Sequence, residues 1–159
     1  MAFRCRACGR ITENPNWHFR CELPDRVAES ISQLSREEFW GNDDLLQVPG
    51  YGSYVRVLIP IRITGLEAMT YRVWLEVLPD ELLRAWEVWE QPEYRELKLK
   101  GVLANQLKGW PASVLNQDMV VAVKNTAEIP IAIGSSNLTL NSILTNEWDP
   151  QKLETCLSC

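Results

Sequence analysis

Regular alternation of hydrophobic and polar residues in the middle of the chain predicts a pair of strands. Between residues 54 and 63 every second position holds valine or isoleucine, while Arg56 and Arg62 fall on the opposite face. Residues 69–78 repeat this alternation, and the turn-forming residues 64–67 separate the two runs. Because a period of two places alternate side chains on one face of a strand, we expect an antiparallel hairpin with one buried face.

Helical spacing of apolar residues predicts three helical regions. Residues 24–40 favour two short helices, of which the second opens on a capping-box pattern at residues 35–38. Residues 138–147 favour a last helix that Ser136 or Asn137 caps. The helix predicted at residues 79–90 is expected to turn one face to the core: Leu82, Ala85, Trp86 and Trp89.

Four shorter apolar runs add strands to this pattern, at residues 45–48, 97–103, 119–123 and 129–133. Strands joined by short loops pair locally, so the order of elements predicts an α+β fold, an antiparallel sheet with flanking helices. Neither a linker nor an internal repeat interrupts the sequence. We therefore expect a single domain over residues 1–159, in which residues 1–22 and 154–159 form a terminal zinc knuckle.

The clearest chemical signal is a Cys-x-x-Cys pair near each end of the chain. Cys5 and Cys8 form the first pair, and Cys156 and Cys159 form the second. Thiolates three positions apart in a tight turn can bind one ion, and two such turns complete the tetrahedral site that structural zinc prefers. We expect these four cysteines to hold one structural Zn²⁺ that joins the two terminal segments.

Other uses of the cysteines remain open at this point. Cys5 and Cys8 combine with His18 and Cys21 into a local four-ligand set that needs no C-terminal pair. Two further alternatives are that the cysteines are free thiols and that one pair is a redox motif. A redox pair usually follows a strand and opens a helix, and Cys5 lacks a predicted strand before it.

Composition and charge narrow the class of protein. The chain is 46% hydrophobic and carries a net charge of −5, which disfavours a nucleic-acid-binding role because phosphate binding needs a basic face. No apolar run approaches the ~20 residues of a membrane span, and the N-terminus lacks the apolar core of a signal peptide. We expect a cytoplasmic protein without membrane partners, where its five cysteines stay reduced.

The sequence favours binding over catalysis. It contains a single histidine and no recognisable nucleophile or phosphate-binding motif. Its seven tryptophans are mainly expected in the core, and the alternative is an aromatic surface for a partner. We predict a non-enzymatic protein-interaction module for a basic protein partner, for example in the manner of an immunity protein. The alternatives are a zinc enzyme with an open metal site and a nucleic-acid-binding zinc knuckle, and the oligomeric state is left open.

The order of several motifs resembles a known bacterial family, domain-of-unknown-function family 2199. These motifs are the Cys-x-x-Cys-Gly start at residues 5–9, the acidic segment 35–38, the strands 54–61 and 71–77, and the segments 101–107 and 109–111. The resemblance covers residues 5–148 and implies a bacterial protein without assigning it a reaction. The family pattern has histidines near residues 11–13 and 141–143, where this chain has none, and Cys156 and Cys159 are candidates to replace them as ligands.

Overall fold

The computed structural model of the chain describes residues 3–4, 11–12, 18–65 and 68–149. The elements that precede the main hairpin are short. They are β1 (Phe3–Arg4), β2 (Ile11–Thr12), β3 (His18–Arg20), helix α1 (Asp25–Glu29), β4 (Trp40–Gly41) and β5 (Leu45–Val48). Two single-turn 3₁₀ helices, Ile31–Gln33 and Arg36–Glu38, lie between α1 and β4.

The described strands that follow close into a five-stranded barrel. They are β6 (Gly52–Ile63), β7 (Met69–Val77), β8 (Lys98–Leu103), β9 (Asp118–Ala122) and β10 (Ile131–Gly134). Neighbours from β6 to β10 pair antiparallel, and β10 then pairs in parallel with β6 at Ile131 and Leu58, which completes the ring. Helix α2 (Pro79–Val88), helix α3 (Leu138–Thr145) and β11 (Glu147–Trp148) complete the described elements, with 3₁₀ turns at Pro92–Glu96 and Ala112–Val114.

This closed barrel shows that the predicted fold class was wrong. Alternation correctly located the strands and their buried faces, but it does not show whether a sheet remains open. Closure depends on the parallel pairing of β10 with β6, two strands that lie far apart in the sequence. Nor do the helices simply flank a sheet, because α2 and α3 pack Leu82, Ala85, Leu140 and Ile143 into the same core as the barrel interior. The predicted zinc knuckle lies outside the described residues.

The core has two parts, one inside the barrel and one on its outer surface. The inner part takes the alternating residues of the hairpin that the sequence placed on one face. The outer part lies where α1 and β5 cover the hairpin from outside, and it is closed by Trp74 of β7. Its fully described buried members are Val27, Leu46, Val48, Tyr54, Trp74 and Ala104.

The predicted helices differ from those observed mainly in the first region. Residues 24–40 form one five-residue helix and two 3₁₀ turns, and Ser35 makes no capping hydrogen bond. The last helix is confirmed, because the Asn137 side chain accepts a hydrogen bond from the backbone N–H of Leu140 at 2.9 Å. None of the helices in the described ranges has the length and hydrophobicity needed to cross a bilayer.

Two short strands leave the barrel at the same end. Strand β3 runs parallel to β7 with His18 opposite Thr70, so β3 begins at the end of the barrel where the β6–β7 hairpin turns. Strand β11 runs parallel to β6 with Trp148 opposite Ile63, so β11 finishes at that same end. The two strands flank the hairpin and are separated by three strand spacings, about 14 Å.

Two buried tyrosines predict how stability depends on alkaline pH. The Tyr54 hydroxyl is buried without a hydrogen-bond partner among the described residues, whereas the Tyr94 hydroxyl donates to the carbonyl of Glu128 at 2.5 Å. Tyr54→Phe should therefore leave the free energy of unfolding at neutral pH unchanged or raise it by about 1 kcal/mol, and Tyr94→Phe should lower it by about 1 kcal/mol.

The same tyrosines should make the free energy of unfolding fall at alkaline pH. Burial raises the pKa of Tyr54 and of Tyr94 to about 12. Since the unfolded chain releases these protons first, at its lower pKa of about 10, stability falls as pH rises from there to about 12. Urea unfolding across this range should show a shallower decline for either phenylalanine variant. Burial also raises the pKa of the Tyr71 phenol, so this third group adds to the decline. An unchanged decline in both variants would contradict the contribution of Tyr54 and Tyr94.

Candidate functional site

The predicted zinc ligands Cys5, Cys8, Cys156 and Cys159 lie outside the described residues. Their assembly into one site therefore stays a prediction. Within the described ranges, no three histidine, cysteine, aspartate or glutamate side chains are grouped as a metal site would require.

The two described members of the alternative metal set are poorly placed to act together. His18 is exposed on the outer face of β3, whereas Cys21 is partly buried against both parts of the core. Burial raises the pKa of the Cys21 thiol, and the charge of Asp25 raises it further. Because zinc binds the thiolate, and because the two side chains lie on opposite faces of the chain, this geometry argues against the local set.

A buried arginine fixes the segment that follows β3. Arg56 is 2% exposed, and its guanidinium donates hydrogen bonds to the carbonyls of Asp43 at 2.8 Å and Cys21 at 3.0 Å. It also lies over the ring of Trp74, 4.4 Å from the centroid, and its Nε is 3.8 Å from a carboxylate oxygen of Asp44. Arg56 thus joins two loops to the outer surface of the barrel.

Asn105 provides a second attachment for the same segment. Its side-chain amide accepts from the backbone N–H of Trp74 at 2.8 Å and donates to the carbonyl of Leu23 at 2.9 Å. It also donates to the Asp25 carboxylate at 2.8 Å, and that carboxylate accepts from the backbone N–H of Gln106. Since Asn105 is 1% exposed and fully hydrogen-bonded through these contacts, we assign it a structural role.

The first candidate binding surface is an exposed pair of tryptophans beside carboxylates. Trp40 and Trp86 are 40% and 44% exposed, and their ring centroids are 4.6 Å apart. Trp86 lies on α2 and borders a cleft of about 220 Å³ that Glu87 and Glu90 also line. We call these residues, together with the exposed Leu83, the tryptophan surface: Trp40, Leu83, Trp86, Glu87 and Glu90.

The charge of the tryptophan surface is not balanced internally. Neither Glu87 nor Glu90 forms an ion pair with any other described residue.

The prediction that Trp86 faces the core was wrong, because its side chain is 44% exposed. Leu82 and Ala85 lie at the centre of the buried face, whereas Trp86 lies at its edge, where it contacts Trp40 of the edge strand β4.

The second candidate is a groove of about 470 Å³ on the outer face of the barrel. It crosses β3, β7, β6 and β10 in register, with Arg20 opposite Arg72, Arg72 opposite Leu58, and Leu58 opposite Ile131. We call this the outer groove. Its lining residues are His18, Phe19, Arg20, Leu58, Pro60, Thr70, Arg72, Glu128 and Ile131.

The outer groove has a charge gradient along its length. Arg20, Arg72 and His18 lie at its β3–β7 side, and Glu128 lies in the loop before β10 on the other side. Burial lowers the pKa of the nearby Arg56, and the positive charges of Arg20 and Arg72 lower it further. Leu58 and the apolar lining residues beside it lie between the two charged ends of the groove.

These features define a small β-barrel protein with a buried polar attachment for its N-terminal segment and two chemically distinct open surfaces. Residues 4–138 match the family described as "Uncharacterized protein conserved in bacteria (DUF2199)". The chain belongs to this family, which confirms the resemblance predicted from its motifs. Comparisons with curated proteins and with solved structures found no match.

Sequence reasoning missed both surfaces for different reasons. The outer groove joins residues from four strands, and only its β6 and β7 members follow from alternation along the hairpin. The tryptophan surface had a signal, because an aromatic partner-binding surface was one reading of the seven tryptophans. What the sequence lacked was the contact between Trp40 and Trp86, which are far apart in the chain.

Proposed function

We propose that this protein is a non-enzymatic protein-interaction module whose tryptophan surface binds a basic segment of a partner protein. The observation that supports this most strongly is the exposed Trp40–Trp86 pair beside the unpaired carboxylates of Glu87 and Glu90. Exposed tryptophans are uncommon away from binding surfaces, and they are frequent among residues that dominate binding energy.

The chemistry of this surface suits an arginine or lysine side chain. A cation over a tryptophan ring gains a favourable interaction with the ring quadrupole, which is strongest for tryptophan among the aromatic residues. Glu87 and Glu90 add charge-assisted hydrogen bonding at the edge of the same surface. The net charge of −5 favours encounter with a basic partner over an acidic one.

A defined peptide tests this proposal. We expect tryptophan fluorescence to report binding of a synthetic peptide of alternating arginine and serine, and no binding of the peptide with glutamine in place of arginine. Trp40→Ala/Trp86→Ala should abolish saturable binding. Glu87→Gln/Glu90→Gln should weaken binding by about tenfold at low salt, the loss expected for two charge-assisted contacts at an exposed site.

A matched charge control separates this surface from the overall charge of the molecule. Glu29→Gln/Glu147→Gln removes two exposed carboxylates that lie outside the tryptophan surface, and should weaken peptide binding less than about twofold. Equal losses in both double variants would overturn the proposal, because binding would then follow net charge alone. Absence of binding to the wild-type protein at low salt would overturn it as well.

We also propose that Cys5, Cys8, Cys156 and Cys159 bind one structural Zn²⁺. The support is the Cys-x-x-Cys spacing of both pairs and the common end of the barrel from which the two segments leave. Cys8 precedes His18 by ten positions, and Cys156 follows Trp148 by eight. An extended chain advances about 3.3 Å per residue, so both segments are long enough to span the roughly 14 Å between β3 and β11.

A further inference from the structure

The outer groove has the form of a binding site, and neither the family nor the proposed partner surface accounts for it. Its volume of about 470 Å³ lies within the range of small-ligand sites. Most of the lining residues come from the faces of paired strands, whose relative positions are fixed by the ladder hydrogen bonds, and Glu128 comes from the loop before β10. A site built on strands holds its side chains more precisely than one built on loops.

The two charged ends of the groove lack partners of their own. The Arg72 side chain is partly buried and makes no ion pair or hydrogen bond with another described residue. Glu128 likewise has no ion-pair partner among the described residues, although its backbone is held by the Tyr94 hydroxyl at 2.5 Å. Arg20 forms only an exposed pair with Glu22 at 3.6 Å. Among the described residues, the groove therefore presents Arg72 without an ion-pair partner at one end and the exposed carboxylate of Glu128 without one at the other.

The floor between these ends is apolar and has a defined length. Leu58 and Ile131 lie in one transverse row with Arg72, and Pro60 lies in the next row opposite Thr70. Arg72 and Ile131 are two strand spacings apart, about 10 Å, and Glu128 lines the groove from the loop before β10, three positions before Ile131. An extended tripeptide has about the same length.

We propose that the outer groove binds a short zwitterionic peptide, about three residues long, with an apolar middle residue. Its C-terminal carboxylate contacts Arg72 and Arg20, its middle side chain lies on Leu58 and Ile131, and its N-terminal ammonium faces Glu128. Both termini are required, because a ligand without one of them leaves a charge of the groove unmatched.

The tripeptide Ala-Val-Ala with free termini is a direct probe. In ¹H–¹⁵N NMR titrations of the whole protein, we expect saturable shifts confined to the strands of the groove. N-acetylation or C-amidation of the probe should each weaken binding by about tenfold, since each removes one charge-assisted contact. No saturable shift at about 10 mM probe, or equal affinity for the capped probes, would overturn the proposal.

Two charge variants show which end of the probe each residue contacts. In Arg20→Gln/Arg72→Gln, C-amidation should cause no further loss while N-acetylation still does, and Glu128→Gln should show the reverse. Arg36→Gln, an exposed change outside the groove, should bind all three probes like the wild type. If amidation and acetylation cost the same in both variants as in the wild type, none of these residues contacts the probe and the assignment fails.

Discussion

Arg56→Ala should lower the free energy of unfolding by about 3 kcal/mol, one of the two largest effects that we expect in this protein. The guanidinium donates to the carbonyls of Cys21 and Asp43 from a position that is 2% exposed, and alanine removes both hydrogen bonds. The Cys21 carbonyl then keeps the hydrogen bond from the Trp74 indole N–H at 3.2 Å. The substitution also removes the contact with the Trp74 ring at 4.4 Å and opens a cavity beside it.

Chemical denaturation by urea measures this loss, and a second arginine on the same strand provides the control. Arg62 is exposed and donates to the carbonyl of Thr145, so Arg62→Ala should cost less than about 1 kcal/mol. Arg56→Lys retains the charge but has a single nitrogen, and should fall between the two. If Arg56→Ala proves no more destabilising than Arg62→Ala, the buried guanidinium does not hold the two loops.

Amide hydrogen exchange should also locate the damage. The backbone N–H of Cys21 donates to the carbonyl of Arg72, and that of Asp25 donates to the carbonyl of Ala104. In Arg56→Ala these two amides should lose protection before those in the middle of β6 and β7, because the segment after β3 is held directly by Arg56. Uniform loss of protection across the barrel would instead mean that Arg56 supports the whole fold.

The strands of this barrel were predictable because their signal is local. Isoleucine or valine at every second position of β6 fixes the inward face, and the structure places those residues in the core as expected. Closure of the barrel was not predictable, since it depends on a parallel contact between Ile131 and Leu58 that no local pattern encodes. The packing of the helices was not predictable for the same reason. Their periodicity is the same whether the buried face packs against a barrel or against an open sheet.

The candidate sites also differ in how far the sequence alone could predict them. The paired cysteines are a sequence signal that needs no fold to be recognised, and they remain a prediction because they lie outside the described residues. Trp86 was assigned to the core from spacing alone, and only the contact with Trp40 shows that it lies at the edge of the buried face. Arg72 and Glu128 are unremarkable in the sequence, and become a pair only through the strand order β7–β6–β10.

The buried polar attachment and the proposed zinc site would support each other. Arg56 and Asn105 fix residues 21–25 on the barrel, which limits the positions available to the first cysteine pair. On the other side, β11 fixes the chain just before the second pair. Two anchored segments that leave one end of a barrel bring the ligands together at a lower entropic cost than two free termini would.

The second large effect is expected from Cys156→Ser/Cys159→Ser. Zinc content, measured on the purified protein, should fall from about one ion per chain to near zero, because two thiolates cannot complete a structural site. The free energy of unfolding should fall by about 4 kcal/mol, comparable to the loss of a covalent cross-link that closes a loop of this length. Addition of a strong chelator to the wild-type protein should reproduce the loss of stability, since zinc binding and folding are coupled.

Further variants distinguish the competing metal sets. Cys5→Ser/Cys8→Ser removes ligands from both sets and should lose zinc under either, whereas His18→Ala removes a ligand only from the local set and should retain it. Zinc retained by Cys156→Ser/Cys159→Ser and lost by His18→Ala would move the site to Cys5, Cys8, His18 and Cys21, against the geometry that packs the partly buried Cys21 against the core. If the purified wild-type protein contains no zinc, the zinc proposal is wrong. The stability of the barrel would then come from its core and from contacts such as those of Arg56 and Asn105.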